Sequence, residues 1–352
     1  MLILAALRIT RAGVNMICQM LYQCFLLGGA MNTARRSLWA SLFVTVPCAA
    51  LAQTAYPDRP IRIIVPGQPG VGTDFVGRLL AAKLAIALGK GVPIENMPGV
   101  GGSLGIERVA KAQPDGYTLG VSGDAPLVVN MSVYGKIGYD PREDIAPISQ
   151  LTITPNILVV HPSLPVKNVH ELIALAKANS GKLTYASSGG GTSGHRAGEL
   201  LKSMRAIDIV QIPYKGSFVN DLIGGHVSMA FMNITAAPPL IRDGRLRALA
   251  ITSLRRSKAA PELATMSELG LQGYEAVAWQ GLIAPAKTPD AIIRRLNAET
   301  IKALSSPDLR EKLIASGAEI VGGSPEEFAA LIKAEIPKWA KLMKASSVKT
   351  NL

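Results

Sequence analysis

Four stretches of this chain carry residue types at spacings that could do chemistry. Gly189-Gly190-Gly191-Thr192-Ser193-Gly194 matches G-x-G-x-x-G, a turn that lets a backbone approach a pyrophosphate, and it lies between a β-branched run and a helical one. A dinucleotide site also needs an acid about 20 residues further on, at the end of the next strand. Gln211-Ile212-Pro213 stands there instead. What survives is general anion chemistry, because a glycine turn at a helix N-terminus presents free N–H groups and the positive end of a dipole. Pro69-Gly70-Val71-Gly72-Thr73-Asp74 repeats that arrangement after the first strand candidate. His195, beside the second turn, reads either as a pocket donor or as a helix-cap histidine. Tyr214-Lys215-Gly216 puts a phenol and an ammonium at another strand terminus, where a carboxylate would suit them and a solvent-facing lysine is the plain alternative.

The fourth stretch, Gly101-Gly102-Ser103-Leu104-Gly105, matches G-x-S-x-G, the elbow that exposes a nucleophilic serine. Its context is wrong. An elbow serine follows its strand directly, whereas Met97-Pro98-Gly99-Val100 intervene after Asn96, and there is no His-Gly-Gly-Gly oxyanion motif. The stretch reads as a turn opening a helix, with an exported hydrolase of small esters using Ser103 as the rival.

The elements that must position these turns alternate β-branched runs with segments of helical period, the pattern of an α/β fold with largely parallel strands. Strand candidates are 61–65, 92–96, 117–121, 145–151, 157–161, 183–187, 209–212, 227–232, 246–251 and 280–284. A helix starts near Thr73, with Val76, Leu79, Leu80 and Leu84 on one face. Another spans Val169 to Asn179, capped by Asn168 with Glu171 three residues on. Thr288-Pro289, Ser306-Pro307 and Ser324-Pro325 each read as a cap followed by proline at the first helical position. Open α/β sheets place ligand chemistry at strand C-termini, which is where the glycine turns fall.

The first 52 residues read as an extension plus an export signal. From Met31 a basic segment with Arg35 and Arg36 leads into an apolar run, Leu38 to Ala49, and Ala50-Leu51-Ala52 is a small-x-small cleavage site before Gln53. Met31 is the expected start, and cleavage after Ala52 would release the chain into the periplasm. Cys18, Cys24 and Cys48 all fall before that site, so the remaining 300 residues contain no cysteine. With no His-x-x-x-His and no carboxylates at ligand spacing, no metal and no cofactor is expected. Without the four arginines of the leader, the 37 basic and 25 acidic residues leave a charge of +8, which favours encounter with anions. Arg255-Arg256-Ser257-Lys258 has no interleaved aromatics, so it reads as a solvated face and not as a nucleic-acid patch.

Several stretches together resemble the periplasmic solute-binding proteins of tripartite tricarboxylate transporters, the Bug receptors. They are Tyr56 to Pro66, Pro69 to Asp74, Glu95 to Gly102, Pro114 to Leu119, Gly181 to Ser187, Pro213 to Gly216 and Leu246 to Ser253, in order over the whole mature chain. The resemblance implies a two-lobed Venus-flytrap of the type II periplasmic-binding-protein fold and no enzymatic activity. Lobe 1 would take 53–155 and 275–352, and lobe 2 would take 156–274. A small carboxylate would be gripped by backbone N–H groups of Gly70, Val71, Gly72, Thr73 and Asp74 in one turn and of Ser187, Gly189, Gly190, Thr192, Ser193 and His195 in the other. Tyr214, Lys215, Gly216 and Asn233 would complete the cleft. The implied partners are integral-membrane permease subunits of a monomeric receptor, with a sensory receptor subunit of the same fold as an alternative. The sequence departs from the family at Gly67, where an aromatic is usual, at Met232, where Asp is common, and in 217–221, which is shorter than usual.

Overall fold

The computed structural model describes residues 56–214 and 216–345. The export-signal reading, the leader cysteines and Lys215 lie outside the described residues. All ten strand candidates form strands, arranged in two sheets.

The first sheet holds β1 (Arg62–Val65), β2 (Ile94–Asn96), β3 (Thr118–Gly123), β4 (Ile145–Thr154), β10 (Ala278–Pro285) and β11 (Glu319–Ile320), in the order β11-β4-β10-β3-β1-β2. The second holds β5 (Asn156–Val160), β6 (Thr184–Ser187), β7 (Val210–Pro213), β8 (Met229–Asn233) and β9 (Arg247–Ile251), in the order β7-β6-β8-β5-β9. Ile63, Ile64 and Val65, like Leu158, Val159 and Val160, have no exposed surface. Such continuous apolar runs belong to strands covered on both faces.

The sheets are mixed, which corrects the expectation of largely parallel strands. β1 pairs in parallel with β2 and β3, and β6 with β7 and β8, but β10 runs antiparallel to β3 and β4, and β5 antiparallel to β8 and β9. The cause is the path of the chain between lobes. It leaves the first sheet at Thr154 and returns along β10, whose Ala278 lies opposite Thr154, so outgoing and returning strands must be antiparallel. Thr252 fastens the crossing, donating its N–H to the Asn156 carbonyl at 2.9 Å and accepting from the Asn156 amide at 2.9 Å.

The helices follow their apolar faces. α1 (Gly72–Leu88) buries Val76, Leu80 and Leu84 and ends at Gly89, whose φ of 64° is a left-handed cap. α2 (Ser103–Ala110), α3 (Asn130–Tyr134), α4 (Val169–Ala178), α5 (Ser193–Arg205), α6 (Val219–Ile223), α7 (Ala237–Arg242), α8 (Asp290–Ser305), α9 (Pro307–Ala315) and α10 (Pro325–Ala345) complete the set. Asn168 caps α4 as expected, accepting from the Glu171 amide at 2.9 Å. Pro289, in contrast, is itself the cap of α8, so that helix starts one residue later than expected. One core cluster takes Ile106, Val129 and Ile283 from the first lobe, Tyr185 and Leu201 from the second, and Trp339 from α10. The lobes therefore share apolar packing.

Candidate functional site

The first glycine turn joins β1 to α1 and is held by the side chain of Asp74. Its carboxylate accepts from the Gly70 amide at 2.8 Å, from Arg78 Nε at 2.9 Å and from Asn96 Nδ2 at 2.8 Å. The Arg78 hydrogen bond, with those from Gly70 and Asn96, holds the buried carboxyl down at about 2. Asp74 is thus occupied within the turn, while the amides of Gly72 and Thr73, at the helix start, have no acceptor inside the helix. Val71 precedes the helix in extended geometry and is exposed. Its side chain fills the space beside Gly67, where a Cβ would lie 2.8 Å from Val71 Cγ2.

The second turn joins β6 to α5. Thr192 caps the helix, accepting from the His195 amide at 3.4 Å and donating to the Gly189 carbonyl at 2.9 Å. His195 is fully buried, its Nδ1 accepts from the Gly191 amide at 3.0 Å, and its Nε2 has no protein partner. Burial lowers its pKa. The left-handed backbone falls on Gly189 and Gly191, one residue either side of Gly190. In the first turn it falls on Gly70, while Gly72 is already helical. Neither Gly72 nor Gly190 therefore requires a φ open only to glycine.

A cavity of about 300 Å³ opens at the N-terminus of α5. The structure gathers five of the sequence candidates around it, Ser187, Thr192, Ser193, Gly216 and Asn233, together with Asn156, Ser188, Gly194, Ser217, Phe218, Val219, Phe231, Met232 and Ala236. No charged side chain lines it among the described residues. Asn156 and Asn233 sit directly opposite each other in the β5–β8 pair, so both carboxamides project to one face. Asn233 Oδ1 accepts from the Thr235 amide at 3.0 Å and from its hydroxyl at 2.9 Å, and among the described residues its NH₂ has no hydrogen-bond partner. Gly194 lets the first turn of α5 meet β8, since a Cβ there would lie 2.9 Å from the Phe231 carbonyl oxygen.

Nine anticipated residues stand away from this lining: Gly189, Gly190, His195, Tyr214 and the five of the turn at Gly70–Asp74. Gly189 and His195 shape the turn behind it. Tyr214 turns aside, donating to Asp221 Oδ2 at 2.7 Å, and this hydrogen bond raises its pKa. The turn at Gly70–Asp74 belongs to the other lobe and does not wall this cavity. Asn156, Ser188 and Ser217 were missed because each follows directly on a strand crossing or a turn and carries no motif of its own.

Ser103 is buried at the start of α2, and its hydroxyl accepts from Asn130 Nδ2 at 2.8 Å. Among the described residues no histidine is bonded to it. The hydrolase alternative therefore lacks its base and its exposed nucleophile.

Comparison with known proteins gives consistent matches. Residues 76–348 match the family described as tripartite tricarboxylate transporter family receptor. The protein BugT of Bordetella pertussis is 37% identical over 324 residues, which covers 91% of this chain and 99% of BugT. Among solved structures, Rpa4515 of R. palustris with adipate is 37% identical with a TM-score of 0.70, covering 82% of this chain and 97% of that one. MatC from Rhodopseudomonas palustris with bound malate is 32% identical with a TM-score of 0.68, covering 82% of this chain and all of that one.

Proposed function

The chain belongs to the tripartite tricarboxylate transporter receptor family, and on that premise we propose that it captures a small carboxylate in the cleft between its lobes and delivers it to membrane-embedded permease subunits. It is a solute-binding protein and not an enzyme. The observation that carries the reading is the N-terminus of α5, which opens on a neutral cavity rich in hydroxyls and carboxamides.

Electrostatics favour that assignment. The first-turn amides of α5 point along the dipole toward the cavity and stabilise negative charge there. Ser187, whose oxygen accepts from Gln211 Nε2 and the Gly189 amide, has its hydroxyl proton to give, and the Asn233 NH₂ supplies another donor. The absence of acidic side chains in the described wall spares an anion any like-charge repulsion. Gly72 and Thr73 offer a second set of free amides from the first lobe, and Lys215 would add a positive charge. In this reading lobe 1 comprises 53–155 and 275–352 and lobe 2 comprises 156–274. Export follows cleavage after Ala52, and the receptor acts as a monomer in the periplasm. No helix among the described residues is long and apolar enough to cross a membrane.

The test is calorimetric titration and thermal melting against adipate, malate, citrate and benzoate. At least one should bind saturably, raise the melting temperature through linkage and be recovered unchanged. A panel in which none shifts the melting temperature would sink the proposal.

A further inference from the structure

Arg196 lies one turn into α5, directly behind the residues that open on the cavity. Its side chain has no exposed surface. Nη2 forms an ion pair with Asp124, the residue that follows β3 in the first lobe, and donates to the Val277 carbonyl, on the returning strand segment, at 3.2 Å. The guanidinium carbon sits 4.6 Å from the centre of the Trp339 ring on α10. A helix of one lobe thus touches the other lobe, the crossing segment and the C-terminal helix through one residue.

The arrangement is costly. Nε and Nη1 of Arg196 are buried without hydrogen-bond partners, and burial lowers its pKa to about 10. A buried guanidinium with two unmet donors is poor evidence for stability, since well-packed apolar residues at such positions are often as stable or more so. Nearby charges do not remove the cost. Glu335 is committed to Trp279 Nε1 at 2.7 Å, and Lys338 brings a second cation to the Trp339 ring at 4.5 Å. Asp124 is the one carboxylate in direct ion-pair contact with Arg196 among the described residues. The second turn meets the same part of the first lobe, since a Cβ on Gly191 would lie 3.1 Å from Val129 Cγ1. The turn ahead of α5 and the Arg196 side chain therefore meet Val129 and Asp124, both in the segment that follows β3.

We propose that Arg196 is a positioning residue for ligand capture: by pairing with Asp124 of the opposite lobe it holds the N-terminal turn of α5 over the cleft, so that filling the cavity and docking the lobes become one event. The proposal rests on the carboxylate-capture reading. It predicts that cutting the pair weakens binding although neither residue lines the cavity. It also supplies its own reporter. Of the three tryptophans, Trp39 lies in the leader, and Trp279 and Trp339 both belong to the Arg196 cluster.

The experiment compares the parent with Asp124→Asn, which removes the charge at nearly constant shape, and Arg196→Lys, which keeps it. Circular dichroism first establishes that each is folded. For whichever carboxylate of the four-member panel binds the parent, Asp124→Asn should bind at least about fivefold more weakly, at the lower end of ordinary coupling between sites. Arg196→Lys should fall between. Tryptophan emission should respond to ligand in the parent and less in Asp124→Asn, and the unliganded variant should have a larger radius of gyration by X-ray scattering. A lowered melting temperature with unchanged affinity would mark the pair as merely structural and overturn the proposal. If the parent binds none of the panel, the capture reading fails separately. Unliganded scattering and acrylamide quenching identical in parent and Asp124→Asn would then overturn the proposal about the pair.

Discussion

The Nδ1 atom of His195 accepts the amide proton of Gly191 at 3.0 Å, so the turn ahead of α5 is tied by a side chain that can serve only while it is neutral. An imidazolium has no acceptor nitrogen, and protonation would strand the Gly191 amide in a buried site.

Stability should consequently fall on mild acidification. Burial holds the His195 pKa below its ordinary value of 6.5, with the Glu199 charge opposing and that of Lys202 assisting. Between the depressed value and 6.5 the unfolded chain binds a proton that the folded chain refuses, so acid favours unfolding. The contribution is complete above about pH 7 and is lost as the pH falls through the ordinary histidine range. Thermal melts across that range should show the decline in the parent and a flatter profile in His195→Asn, which keeps an acceptor without titrating. Parallel profiles would refute it.

Asp74 gives a test of the same sign at lower pH. Its folded pKa of about 2 lies below the ordinary value of 3.8, so its contribution is present above about pH 4 and disappears as the pH falls toward 2. Asp74→Ala should cost about 1–3 kcal/mol, because it leaves the Gly70 amide and the Asn96 carboxamide without their acceptor. Chemical denaturation at neutral pH measures this directly, and a change within about 0.5 kcal/mol would place Asp74 among ordinary surface positions.

The two glycine turns and the ten strands were legible in the sequence because each is local: a β-branched run, then glycine, then a capping residue and a helical period. β11 was not, being only Glu319–Ile320. Strand direction was not legible either, since it depends on β10 returning beside β4 from 120 residues away, a pairing that no local pattern encodes. The π-helical turn at Ala125–Val129 carries no period that would announce it. At the site, residue type misled for Asp74 and Tyr214. A carboxylate or a phenol at a strand end can face a ligand or its own turn, and only the positions of Arg78, Asn96 and Asp221 decide which. Asn156 was missed because its role comes from standing opposite Asn233 across the sheet.

Ser103→Ala should leave carboxylate binding unchanged and create no loss of hydrolysis, there being none to lose. It should lower stability by about 1 kcal/mol, because the Asn130 carboxamide loses one buried acceptor while keeping the Gly101 carbonyl at 3.0 Å. Ester hydrolysis by the parent that vanishes in the variant would contradict both the site and the family assignment.

The last prediction separates backbone from side-chain recognition. Gly191 has a φ of 80°, a conformation that costs an L-residue about 1–2 kcal/mol, and a Cβ there would press on Val129 Cγ1 at 3.1 Å. Gly72 has ordinary helical geometry, and a Cβ there meets nothing within 4 Å. Gly191→Ala should therefore distort the turn that opens on the cavity, whereas Gly72→Ala should be neutral or stabilising by up to about 1 kcal/mol through the unfolded state. If the carboxylate is held mainly by turn amides, Gly191→Ala should weaken binding more than Lys215→Met, which removes one positive charge. Titration calorimetry of the three folded variants ranks them. Should Lys215→Met abolish binding while Gly191→Ala binds like the parent, the ligand is held by a salt bridge and the helix N-terminus of α5 is a bystander.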